Sequence, residues 1–122
     1  MFRLKIHDYI SSAHFLDGYQ GKCENLHGHN WKIEMEVKGE MLDNLGMLID
    51  FKLMREILSG VLKELDHCVL NDHEAFKSSN PSAEVISKYI YEQVQKKLPT
   101  GVDLSSISVW EAEGSQAVYS EK

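Results

Sequence analysis

Between His27 and Val37 every second residue belongs either in a protein interior or on a metal. The odd positions read His27, His29, Trp31, Ile33, Met35 and Val37, while Lys32, Glu34, Glu36 and Lys38 fill the even positions of the same run. A period of two does not sit on a helix, whose faces repeat every three to four residues. It dictates a strand buried on one face, and a slip of one residue would turn that whole set to solvent. The two histidines open the buried face. Spaced two apart, their imidazoles point the same way, and Gly28 between them leaves room for another backbone to approach.

A half-buried strand needs a partner. Leu4 and Ile6 share one parity with Arg3 and Lys5 opposite, so residues 2–14 contain an earlier strand, and His14 has the parity of its apolar face. The stretch from Asp17 to Glu24 is rich in Gly and polar residues and reads as a loop. A hairpin connection through residues 15–26 brings His14 opposite the His27/His29 pair.

Residues 39–44 form a turn region, and Gly46–Asp50 is a short apolar run ending at a helix cap, Asp50. Phe51, Met54, Ile57, Leu58, Val61, Leu62 and Leu65 recur at spacings of three and four, predicting an amphipathic helix of about four turns. Residues 66–80 are irregular. Pro81 and Ser82 open a second helix with Ile86, Tyr89, Ile90, Val94 and Leu98 as its stripe, and Pro99-Thr100-Gly101 ends it. Ile107, Val109 and Glu111 share a face of a third strand, Gly114 marks a turn, and Ala117-Val118-Tyr119 begins a fourth. The order ββααββ defines an α+β chain: one domain over residues 1–122, with an antiparallel four-stranded sheet carrying two helices on one face. Four strands leave two open edges. Neighbouring subunits that pair those edges and close a barrel are the expected cover, so an oligomer is expected.

Charge and cysteine content narrow the function. The formal net charge is -6 and the sequence pI about 5.4, against the basic face of a nucleic-acid binder, though a local cationic pocket for a phosphorylated small molecule remains open. No run approaches the roughly 18 apolar residues of a membrane span. The first residues alternate as a strand and lack the apolar block of a signal peptide. With two cysteines, Cys23 and Cys68, no disulfide framework is expected, and the cytoplasm is the expected compartment.

Three neutral imidazoles, His14, His27 and His29, are a common zinc ligand set that leaves a fourth position open for water or substrate; copper or nickel would also take such nitrogens. Cys23 has two readings. It is either the fourth ligand of a closed structural site, or a base beside an open position whose thiolate a nearby cation favours. Asp66-His67 reads either as a carboxylate that orients an imidazole or as a helix C-terminal cap. Cys68 reads as a small packed residue. Glu111 is either a strand end reaching solvent or a buried acceptor for a planar N–H pair. Ser82 reads as a helix cap, and Glu84 suits the first turn of the helix.

Taken together, Ser12-Ala13-His14, Cys23 through His29, Gly46 through Phe51, Leu65-Asp66-His67 with Leu70-Asn71, Asn80 through Glu84, and Glu111 resemble the 6-pyruvoyltetrahydropterin synthase / 6-carboxytetrahydropterin synthase family nearly end to end. The bacterial branch, with Cys, three residues, then His-Gly-His, is the nearest match. The resemblance implies the tunnelling fold and a homohexamer of two stacked three-subunit barrels with sites between subunits. It implies Zn2+ on His14, His27 and His29, Cys23 as proton-transferring residue, and Asp66 with His67 as a companion relay from a neighbouring subunit. Glu111 would anchor the pterin ring, with Ser82, Glu84 and Glu24 as further substrate contacts. The implied reaction converts 7,8-dihydroneopterin triphosphate to 6-carboxy-5,6,7,8-tetrahydropterin, acetaldehyde and triphosphate, toward queuosine. Glu24 beside Cys23 also resembles relatives that cleave the side chain to 6-hydroxymethyl-7,8-dihydropterin for folate synthesis. Lys22, Lys32 and Arg3 are the alternatives for the triphosphate.

Overall fold

The computed structural model describes residues 1–18, 21 and 25–121. Strand β1 (Phe2–His14) pairs with β2 (His27–Gly39), helices α1 (Phe51–Leu62) and α2 (Ala83–Gln95) follow, and β3 (Asp103–Ala112) and β4 (Ser115–Tyr119) complete an antiparallel sheet in the order β1-β2-β3-β4. The expected ββααββ architecture is present. Two short 3-10 turns, Leu70–Asp72 and Glu74–Phe76, lie in the expected irregular stretch between the helices.

The β1/β2 register runs without a bulge from Phe2 opposite Gly39 to His14 opposite His27. That keeps Ile6 and Ile10 on the same face as Trp31, Ile33, Met35 and Val37, all buried under the helices. α2 lies across β3 and β4, and α1 lies against β1. Each helix starts where its cap predicts. The Asp50 carboxylate accepts the Lys52 N–H at 2.8 Å, and Ser82 Oγ accepts the Val85 N–H at 3.2 Å, satisfying amides that the helix leaves unpaired. The other face of the sheet is polar: Glu36 on β2 pairs with Arg3 at 3.2 Å and Lys5 at 3.5 Å and accepts from Ser105, and Lys32 lies over the Trp110 ring.

Both helices are shorter than their apolar stripes. α1 ends at Leu62; Leu65 is fully buried but sits in a following turn, its N–H bonded to the Leu62 carbonyl at 2.9 Å. Leu98 similarly lies beyond α2 and packs against the core. The spacing reports burial, and a tight turn can prolong a buried stripe after the helical hydrogen bonds have stopped.

Ile90 on α2 has no solvent exposure, whereas Met41 before α1 is 82% exposed. Ile90→Ala is expected to lower stability by about 2–5 kcal/mol and Met41→Ala to stay within about 0.5 kcal/mol of the parent, as read by urea unfolding.

Candidate metal centre

The long hairpin delivers three histidines to one end of the core. His14, the last residue of β1, lies opposite His27, the first of β2, and His29 lies opposite Ser12. Ring centroids are 4.6 Å apart for His14–His27, 4.7 Å for His27–His29 and 5.2 Å for His14–His29. One ligand atom from each, with a carboxylate oxygen of Glu111 from β3, all lie within 4.8 Å of one another. Trp31 forms the floor. It is fully buried, packs edge-on to His14 and His29, and donates from Nε1 to the Ser12 carbonyl at 3.1 Å.

The rings are held in one tautomer. His14 Nδ1 lies 2.7 Å from the Pro81 carbonyl and His27 Nδ1 lies 2.7 Å from the Asn25 carbonyl. A carbonyl oxygen only accepts, so each Nδ1 carries the proton and each Nε2 presents a lone pair. The Nε2 atoms of His14 and His29 are buried without a hydrogen-bond partner. Glu111 Oε1 is 2.9 Å from His29 Nε2 but poorly aligned for a hydrogen bond, and 3.8 Å from His14 Nε2. A buried polar atom left unpaired costs about 1–3 kcal/mol. The lone pairs of His14 and His27, with the Nε2 of His29 and a carboxylate oxygen of Glu111 beside them, make a donor set that fits a divalent first-row cation.

Burial sets the protonation state. Desolvation pulls the His14 imidazolium down from the ordinary 6.5, although the Pro81 carbonyl opposes it. Desolvation lowers His29 too, against the attraction of Glu111. Both rings are therefore neutral near pH 7, the form that binds metal.

Glu111 stands at a boundary. One side of its carboxylate meets the histidines; it also lines a cavity of about 320 Å³ shared with Ala83, Glu84, Ser115, Gln116 and Ala117. Glu84 is exposed at that cavity, whereas the Ser82 hydroxyl caps α2.

Asp66 and His67 are not in this cluster. They follow α1 by four residues or more, so they do not cap it; Lys63 takes that place. They dock on the outer edge of β1. Asp66 Oδ1 lies 3.0 Å from His67 Nδ1 and accepts the Ser11 N–H at 2.8 Å. The Ser11 amide, helped by His67, holds the Asp66 carboxyl below its usual range. His67 is 81% exposed at its side chain and has φ 54°, a left-handed conformation that costs about 1–3 kcal/mol in a non-glycine residue. Such strain persists only where neighbours enforce it, here the His67 N–H to Ser11 carbonyl bond of 2.7 Å.

Cys23, Glu24 and Lys22 lie outside the described residues. Of the other triphosphate alternatives, Arg3 is engaged by Glu36 and Ser105, and Lys32 by Trp110. Cys68 is half-buried, packs against the core, and has its thiol pushed up by burial. A Cβ at Gly28 would meet only the Ser12 carbonyl, at 4.0 Å, so no backbone among the described residues makes the close approach expected there. Trp31 is a further residue of the site, and its parity with His27 and His29 is the signal in the sequence that marks it. The Pro81 and Asn25 carbonyls carry no side-chain signal at all.

An α+β sheet of this topology with a three-histidine centre defines a tunnelling-fold protein. A family model described as 6-pyruvoyl tetrahydropterin synthase matches residues 3–122, and the chain belongs to that family. It is similar to the 6-carboxy-5,6,7,8-tetrahydropterin synthase of Bacillus subtilis, 36% identical over 104 residues that cover 81% of this chain and 69% of the relative. It is also similar to the dihydroneopterin monophosphate aldolase of Pyrococcus furiosus, 40% identical over 88 residues covering 72% of each. The 6-pyruvoyl tetrahydropterin synthase of Caenorhabditis elegans superposes with a TM-score of 0.88 at 26% identity, over 99% of this chain and 96% of that one. No helix among the described residues is long and apolar enough to cross a membrane.

Because His14 and His29 titrate lower in the folded chain than in the unfolded one, the unfolded chain takes up protons first as pH falls. Their contribution is complete above about pH 6.5 and is lost as pH falls through the folded values. The Tm of the metal-free protein is expected to drop between about pH 7 and pH 5, and to drop less in His14→Gln, as read by thermal melts in matched buffers.

Proposed function

We propose that this chain is a zinc-dependent 6-carboxy-5,6,7,8-tetrahydropterin synthase. Its reaction takes 7,8-dihydroneopterin triphosphate and water to the 6-carboxy product, acetaldehyde and triphosphate, a step toward queuosine. The observation that carries this reading is the shared boundary at Glu111: the three-imidazole cluster lies on one side and a carboxylate-lined cavity on the other. Relatives named for this activity support it.

Zinc on His14, His27 and His29 would supply Lewis acidity toward the oxygens of the substrate side chain. Glu111 accepts the paired N–H groups of the pterin's aminopyrimidine edge, and two parallel charge-assisted bonds fix the ring's orientation. Glu84 lines the same cavity as a further substrate contact, and Ser82 serves by holding the start of α2. Cys23 moves a proton at the substrate side chain, with Glu24 as a neighbouring contact. Asp66 orients His67 as the second proton carrier. The exposure of His67 on the outer edge of β1 supports a role in a neighbouring subunit's site. Among the described residues no other strand or segment pairs its backbone with the outer edge of β1 before Ser11 or with the outer edge of β4. A homohexamer of stacked barrels uses those edges. The cytoplasm suits the reaction because it keeps the Cys23 thiol reduced.

A second reading is side-chain cleavage to 6-hydroxymethyl-7,8-dihydropterin, favoured by Glu24 and by the similarity to a dihydroneopterin monophosphate aldolase. Mass spectrometry of products from zinc-loaded protein and 7,8-dihydroneopterin triphosphate separates the two. The 6-carboxy product with acetaldehyde is expected, and a 6-hydroxymethyl product would replace the first reading with the second. Cys23→Ala is expected to keep about one zinc per chain and lose turnover. Loss of zinc and of thermal stability in that variant would instead make Cys23 a structural ligand.

A further inference from the structure

The outer edge of β1 is occupied where the strand carries His14. Odd residues of β1 turn their N–H and C=O toward that edge, and from Ser11 onward the segment between the helices meets them. Ser11 exchanges bonds with Asp66 and His67, and the Ala13 N–H donates to the Cys68 carbonyl at 3.0 Å. Beyond the strand's end side chains take the place of a backbone at the same edge. Asn71 Oδ1 accepts the Phe15 N–H at 3.0 Å while its Nδ2 donates to the Phe15 carbonyl at 2.9 Å. Asn80 Oδ1 accepts the Asp17 N–H at 2.9 Å while its Nδ2 donates to the Asp17 carbonyl at 3.0 Å.

A primary amide carries the donor and acceptor of a peptide unit, so each asparagine satisfies both backbone groups of one residue and forms a rung past the parallel bridge of Ala13 with Val69. The two rungs hold the first residues after His14. Pro81, the neighbour of Asn80, accepts the His14 Nδ1–H at 2.7 Å. Backbone and ring of His14 are thus fixed by the same segment.

We infer that Asn71 and Asn80 are positioning residues for the metal centre: their amide rungs lock the chain leaving His14, and so the direction in which its Nε2 presents its lone pair. This rests on the metal-centre reading above. Neither asparagine touches the cluster, so both act through His14. The Asn71 rung, next to His14 in the chain, carries the larger effect.

The test is zinc affinity of the full chain by chelator competition, with the absorption spectrum of the cobalt-loaded protein as a report on site geometry. Asn71→Asp and Asn80→Asp keep the acceptor but set a carboxylate oxygen against a carbonyl. Zinc binding is expected to weaken about ten- to a hundredfold in Asn71→Asp and less in Asn80→Asp, with an altered cobalt spectrum and an unchanged circular dichroism spectrum without metal. Should Asn71→Asp fail to fold, Asn71→Ser and Asn80→Ala remove the rungs without adding charge and are read the same way. Folded variants with parental zinc affinity and cobalt spectrum, even at a lower Tm, would overturn the inference. A parent chain that binds neither ion would overturn the metal-centre reading itself, and the inference with it.

Discussion

One hydrogen-bonded register governs the molecule: β1 against β2, unbroken from Phe2–Gly39 to His14–His27. Because side chains alternate, that register places Ile6 and Ile10 under the helices and His14 beside His27 and His29 in one act. A slip by one residue would expose the core and dissolve the histidine cluster together. Core and site therefore share a single constraint, and the site is as firmly specified as the core. The β2/β3 register shifts at Glu36/Val37 and the β3/β4 register between Trp110 and Ala112, around Glu111, but neither shift breaks the β1/β2 pairing.

The cluster is costly as it stands. His14 and His29 bring buried, unpartnered nitrogens to the end of an apolar core, over an indole floor. Without a cation that arrangement works against folding, and burial already resists the protonation that would otherwise repair it. A bound divalent ion would supply what both nitrogens lack. The Pro81 and Asn25 carbonyls complete the arrangement by fixing which nitrogen holds the proton, and neither could be read from side-chain chemistry.

Much of this was legible in the sequence, for physical reasons. The alternation of His27 to Val37 is unambiguous because a strand with one buried face tolerates no phase error, and His14 followed from parity alone. Asp50 and Ser82 announced the helix starts because capping is local chemistry. The helix ends were not legible, because at Leu65 and Leu98 burial outlasts helical hydrogen bonding. The meeting of Glu111 with His29 was not legible, since it depends on the β2/β3 pairing across the two-helix crossover. The asparagine rungs were equally hidden: Asn71 and Asn80 look like ordinary turn residues until the strand edge they complete is seen.

X-ray absorption spectroscopy of the zinc-loaded protein addresses the centre most directly. Three imidazole nitrogens at about 2.0–2.1 Å and no sulfur are expected, with the remaining coordination from oxygen, the donor set of an open site. A sulfur scatterer at about 2.3 Å would contradict this, closing the centre with a thiolate and making it a structural zinc site.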